Sequence, residues 1–164
     1  WDALKRFFTG EDSIFNNNKN FVLRKLTAYL FRELGYIPIN RGGDNQEAIE
    51  VTNYCLKNGS SIGIFPEGTT NKNPSKQELL DIKNGLFYFA KENNVEIQPI
   101  SITWFPKEFN TINKVVLNYC MAFSMENLTI EEGKQKWVES VLKGIDENKQ
   151  IMNSQQKNKK KAKK

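Results

Sequence analysis

At 164 residues the chain is long enough for one domain that buries about two-thirds of its unfolded surface, so neither disulfides nor metals are needed to hold it together. It carries 24 Lys+Arg against 19 Asp+Glu, no histidine, and two distant cysteines, Cys55 and Cys120, a set that excludes a Cys/His zinc site and reads as buried thiols in a reducing compartment. No apolar run approaches the roughly eighteen residues of a membrane span, and the first residues lack the pattern of a secretory leader.

The net charge of +5 is local. Lys157, Lys159, Lys160, Lys161, Lys163 and Lys164 account for six of the 24 basic residues, which leaves residues 1–156 at −1. Such a run reads as a disordered, solvated tail over 153–164, with two functional alternatives, an anionic membrane surface or non-specific nucleic acid. The near-neutral body offers no basic groove with interleaved aromatics, so no specific nucleic acid is expected.

In chain order, Trp1, Leu4, Phe7 and Phe8 have helical spacing, and Gly10 to Asn20 is polar, Asn-rich and loop-like. Phe21 to Leu34 is an amphipathic helix stopped by Gly35. Gly35 to Arg41 alternates with period two and reads as a strand at or near a sheet edge, because Pro38 has no N–H for a central ladder. Asp44 caps a helix over Asn45–Lys57, with Ala48, Val51 and Cys55 inward and Gly59 closing it. Ser61-Ile62-Gly63-Ile64-Phe65 is a buried strand that breaks into Pro66-Glu67-Gly68-Thr69-Thr70. Strand, helix, strand is a βαβ unit, so these two strands should be parallel.

Asn71 to Pro74 is a loop, and a helix follows from Ser75 or Lys76 to about Glu92. Gly85 interrupts it at a cost of about 1 kcal/mol, which calls for close approach of another group. Val95–Trp104 and Lys114–Phe123 read as further strands. Thr129-Ile130-Glu131-Glu132 is a capping box for a last helix to about Met152. The expected fold is α/β, a mixed and largely parallel sheet flanked by helices, in one domain over 1–152.

Ligands of open α/β sheets collect beyond the carboxyl ends of strands, which points to Arg41 and Glu67. An arginine grips phosphate in a bidentate way, so the pair suits an anionic substrate, although a structural Arg–Glu ion pair fits the same residues. Pro66-Glu67-Gly68 is equally ordinary turn chemistry. Neither a phosphate-binding glycine loop nor a Gly-x-Ser-x-Gly elbow is present.

Three stretches together resemble the glycerolipid acyltransferases of the 1-acylglycerol-3-phosphate acyltransferase family. Gly35-Tyr36-Ile37-Pro38-Ile39-Asn40-Arg41 looks like the second motif of that family, Phe65-Pro66-Glu67-Gly68-Thr69 like the third, and Ile97-Gln98-Pro99-Ile100-Ser101-Ile102 like the fourth, about thirty residues apart. Lys83-Asn84-Gly85 falls where the family often has a basic residue and Gly. Trp1-Asp2 resembles the end of the first motif, His-x-x-x-x-Asp; the resemblance then implies a truncated amino terminus, with the His as the fourth residue before Trp1. An N-terminal helix cap is the other reading of Asp2.

The resemblance implies an acyl thioester donor, acyl-CoA or acyl-carrier protein, and a lysophospholipid acceptor, with phosphatidic acid as product at the cytoplasmic face of a membrane. Asp2 would orient the catalytic His, Glu67 would stand in the site, and Arg41, Phe65, Pro66, Gly68 and Thr69 would bind the acceptor. Backbone amides near Gly68 would face the oxyanion. Neither metal nor cofactor is expected. Thr70, where many members carry Arg or Ser, puts acceptor preference in doubt, and another lysophospholipid or glycerol phosphate is the alternative. The other classes are a catalytically silent membrane-surface protein and a basic-tailed nucleic-acid module.

Overall fold

A computed structural model describes residues 7–11, 35–39, 43–73, 76–105 and 114–161, with the backbone alone described at 7–11 and 155–161. The chain divides into two compact units, Trp1–Thr70 and Asn71–Lys164, where its sequence reads as one domain.

The first unit is built on a three-stranded parallel sheet of β1 (Phe7–Glu11), β2 (Tyr36–Ile39) and β3 (Ile62–Gly63), in the order β2-β1-β3. Phe8 stands opposite Tyr36 and Glu11 opposite Ile39, while Phe7 and Phe8 stand opposite Ile62 and Gly63. The helix expected through Phe8 and the loop expected from Gly10 are both corrected by β1. A run of eight residues covers barely two helical turns, and Phe-Phe-Thr also suits a pleated surface, so spacing alone could not decide. β2 does lie at the edge, as Pro38 requires. β2 and β3 are parallel as expected, but both pair with β1 and are not neighbours. The helix expected over Phe21–Leu34 lies outside the described residues.

Between β2 and β3 runs α1 (Gln46–Lys57), packed on both strands. Asp44 caps it from one residue further out than expected, its Oδ1 accepting from the Gln46 amide at 2.9 Å. The other end is a Schellman closure: the Ser60 amide donates to Cys55 O and the Gly59 amide to Leu56 O, both at 3.0 Å, with Gly59 at φ +76°. The inward face is carried by Thr52 and Cys55, while Val51 is 39% exposed. Thr52 takes the place expected of Val51 because its hydroxyl donates to Ala48 O at 2.7 Å and so enters the core satisfied.

In the second unit the described residues from Asn71 to Asn84 form neither helix nor strand, and the helix α2 spans Gly85–Glu92, ten residues shorter at its start than the reading from Ser75. Asn71 accounts for part of this. Its Oδ1 accepts from the Asn73 amide at 3.0 Å and its Nδ2 donates to Gln77 O at 2.6 Å, side-chain bonds that compete with helix formation. Gly85 is the first residue of α2, and a Cβ there would meet nothing within 4 Å, so the expected close approach is absent.

β4 (Ile100–Phe105) and β5 (Lys114–Tyr119) pair antiparallel, with Ile100 opposite Tyr119 and Phe105 opposite Lys114. The longer strands expected are interrupted at the buried Pro99; beyond β4 and β5 the Cys120 amide donates to Pro99 O at 3.0 Å and a bridge joins Ile97 and Phe123. Helix α3 (Ile130–Lys161) covers one face of this sheet and also meets α2. Its capping box is complete: the Glu132 amide donates to Thr129 Oγ1 at 3.2 Å and the Thr129 amide to Glu132 Oε2 at 2.8 Å. Those bonds hold the Glu132 carboxyl below the usual carboxylate range. The helix continues nine residues beyond Met152, since Lys, Gln and Met favour helix and no Gly or Pro intervenes. Phe87, Ile97, Phe123, Met125, Trp137, Val141 and Ile145 form the core of this unit.

The fold is therefore α/β overall, but the single largely parallel sheet is corrected. Parallel pairing is confined to the first unit and the second sheet is antiparallel. Among the described residues no helix is long and apolar enough to cross a membrane.

Candidate functional site

In a parallel sheet the carboxyl ends of all strands lie at one edge, and in the first unit those ends are Glu11, Ile39 and Gly63. Past Gly63 the chain turns over Phe65–Gly68, closed by the Gly68 amide donating to Phe65 O at 3.0 Å. Pro66 suits the second turn position because its φ is already set, and it is buried. Gly68 has φ +65°, a left-handed conformation that costs a residue with a side chain about 1–2 kcal/mol. The stretch is a turn, and it stands just beyond a strand end.

Within the turn Glu67 is half-buried, Gly68 and Thr69 are exposed, and the Phe65 ring is 66% exposed. The structure brings together Phe65, Pro66, Glu67, Gly68 and Thr69 on one short loop. Asp2 and Arg41 lie outside the described residues; β2 ends at Ile39, two residues before Arg41 in the sequence. The Gly68 amide closes the Phe65–Gly68 turn.

Glu11 is an acidic residue that sequence reasoning passed over. It ends the central strand at the same edge, but Gly10 beside it carried the signal of a loop. In the second unit Lys83 pairs with Asp81 at 3.0 Å, and with Lys134 it holds the Asp81 carboxyl below the usual range. The thiols differ in burial. Cys55 is buried and Cys120 only half-buried, its Sγ donating to Ser140 O at 3.3 Å, and burial pushes both thiols up from their ordinary range. Among the described residues no group of His, Cys, Asp and Glu could hold a metal ion.

The sequence model of one family, described as Acyltransferase, matches residues 4–103. The chain belongs to the acyltransferase family. The match contains Arg41, the Phe65–Thr69 turn and Pro99 with the first residues of β4, and stops before β5 and α3. Acyl transfer from a donor to an acceptor is therefore the general chemistry of this acyltransferase domain. No curated protein and no solved structure matches the chain.

Proposed function

We propose that the protein moves a fatty acyl group from an acyl thioester to the free hydroxyl of 1-acylglycerol-3-phosphate, forming phosphatidic acid at the cytoplasmic face of an anionic membrane. The observation that carries this reading is the Phe65–Thr69 turn at the end of a parallel strand, inside the matched span and in sequence order with Arg41 and Pro99.

The chemistry follows from residue types. An acceptor hydroxyl needs a base at neutral pH, and a histidine oriented by a carboxylate supplies one, so Asp2 is assigned as the orienting acid of a His-x-x-x-x-Asp motif. The hydroxyl attacks the thioester carbonyl, its proton passes to the histidine, and collapse of the tetrahedral oxyanion releases the thiol. Arg41 and Thr69 hold the acceptor phosphate, and Glu67 stands beside it. The exposed Phe65 ring offers apolar contact to lipid. Thr70 favours keeping a second acceptor, another lysophospholipid or glycerol phosphate, in the same assay.

The test is acyl transfer to each acceptor by a protein carrying the motif histidine. Asp2→Asn should lower kcat by about 10²-fold or more, as loss of an oriented base does. Arg41→Lys should raise the acceptor KM more than the donor KM, because the bidentate grip is lost. Equal effects on the two would make Arg41 a structural residue and remove the phosphate-binding assignment.

A further inference from the structure

The sheet of the second unit covers a mixed face, with Val116 and Phe105 beside polar residues, and leaves its more apolar face exposed. Residues alternate across a strand, and a sheet with one covered face normally sends apolar side chains inward and polar ones to water. Here Ser101 and Thr103 on β4, with Asn118 on β5, belong to the face under α3, where Asn148 Nδ2 donates to Ser101 Oγ and Thr103 Oγ1 and Asn118 Nδ2 to Glu147 Oε2. The opposite face pairs Ile100 with Tyr119, Ile102 with Leu117 and Trp104 with Val115. All six are exposed, Leu117 by 55% and Trp104 by 66%. Contiguous apolar surface of this kind marks an interaction site.

The direction of α3 adds the second element. Ser140 lies at Cys120, Gly144 at Ser101 and Cys120, and Asn148 at Thr103 and Val116, so the helix runs toward the Phe105–Lys114 end of the sheet. At 1.5 Å per residue, Lys157 to Lys161 lie about 7–14 Å along the helix beyond the buried Met152. No acidic residue follows Glu147 in the sequence, whereas seven lysines do. The end of the unit that carries Trp104 and Val115 is therefore also the end that carries the basic run.

We propose that this end of the second unit docks on a lipid bilayer bearing anionic headgroups, Trp104 and its apolar neighbours entering the interface while the end of α3 meets the phosphates. Indole favours the headgroup level because its body is apolar and its N–H is polar. The aliphatic majority of the face separates this partner from nucleic acid, since Ile102, Val115 and Leu117 give a base nothing to stack on. This docking rests on the proposed reaction for its anionic membrane and adds to it the surface that meets the bilayer.

The test is co-sedimentation of the whole chain with phosphatidylcholine vesicles, with and without phosphatidylserine, as salt is raised. Binding should require phosphatidylserine and weaken with salt. The combined variant Lys157→Gln, Lys159→Gln, Lys160→Gln, Lys161→Gln should lose about tenfold or more, and Trp104→Ser about tenfold. The tryptophan emission should shift to the blue on the anionic vesicles, and Trp104→Phe should abolish that shift. Equal binding to neutral vesicles, or binding untouched by the lysine variant, overturns the proposal. So does displacement from the vesicles by single-stranded RNA with no response to Trp104→Ser, which would make the lysines a nucleic-acid arm. Acyl transfer to a short-chain, water-dispersed acceptor separates the two readings: docking variants should leave it unchanged, and a docked protein without transfer would sink only the assigned reaction.

Discussion

The two units differ in what holds their described parts in place. Among the described residues the second unit holds almost all of the fully covered apolar side chains, from Ile82 and Phe87 to Trp137 and Met152, whereas the first shows Ile37 and Cys55. Yet the turn at Phe65–Gly68 and the strand ends belong to the first. The comparison teaches that in this chain the Pro-Glu-Gly turn is held by backbone geometry, and the second unit is held by packing.

The strongest way to break this comparison is Phe87→Ala, which should cost about 3–5 kcal/mol through the cavity left at a fully buried ring. Each unit contains one free cysteine, so alkylation of the native protein reads them separately: Cys120 should be labelled much faster in the variant and Cys55 at its former rate. Equal acceleration at both thiols would show that the cores open together. Next in size is Gly144→Val. A Cβ at this position would meet Ser101 Oγ at 2.6 Å and Cys120 Sγ at 2.9 Å, so α3 must lift from the sheet at about 1–3 kcal/mol, measured by urea unfolding.

The smallest effect concerns the start of α3. The folded Glu132 carboxyl lies below its unfolded value, so its contribution is fully present above the unfolded value and disappears as pH falls through the folded one. Glu132→Gln should flatten that acid limb of stability, followed by circular dichroism, with little change at neutral pH. An unchanged limb would mean that the box is not what acid removes.

Features set by neighbours in sequence were legible. Pro38 announced an edge strand, Thr129 and Glu132 a capping box, and Gly59 the end of α1, because each acts within a few residues. Features set by distant partners were not. β1 exists through its pairing with β2 and β3, which no pattern in Phe7–Glu11 reports. Thr52 displaced Val51 through a hydroxyl bond to its own helix, and Asn71 took residues from the expected start of α2. The Phe65–Gly68 turn was legible from its break in composition. The bond from the Gly68 amide to Phe65 O was not, since it depends on turn closure. Asp2 and Arg41 rest on sequence alone.

Asn148 has a further consequence for how the second unit finds its structure. Its amide is completely buried, with Nδ2 within reach of Ser101 Oγ, Thr103 Oγ1 and Val116 O. A helix held to a sheet by aliphatic contacts alone can slide by one turn and still cover oil with oil. Moving α3 by a turn would take Nδ2 away from these three acceptors, a penalty of about 1–3 kcal/mol for a buried donor left unmet. Asn148 thus works as a key that fits one notch, choosing among seatings of similar greasiness more than deepening any one of them.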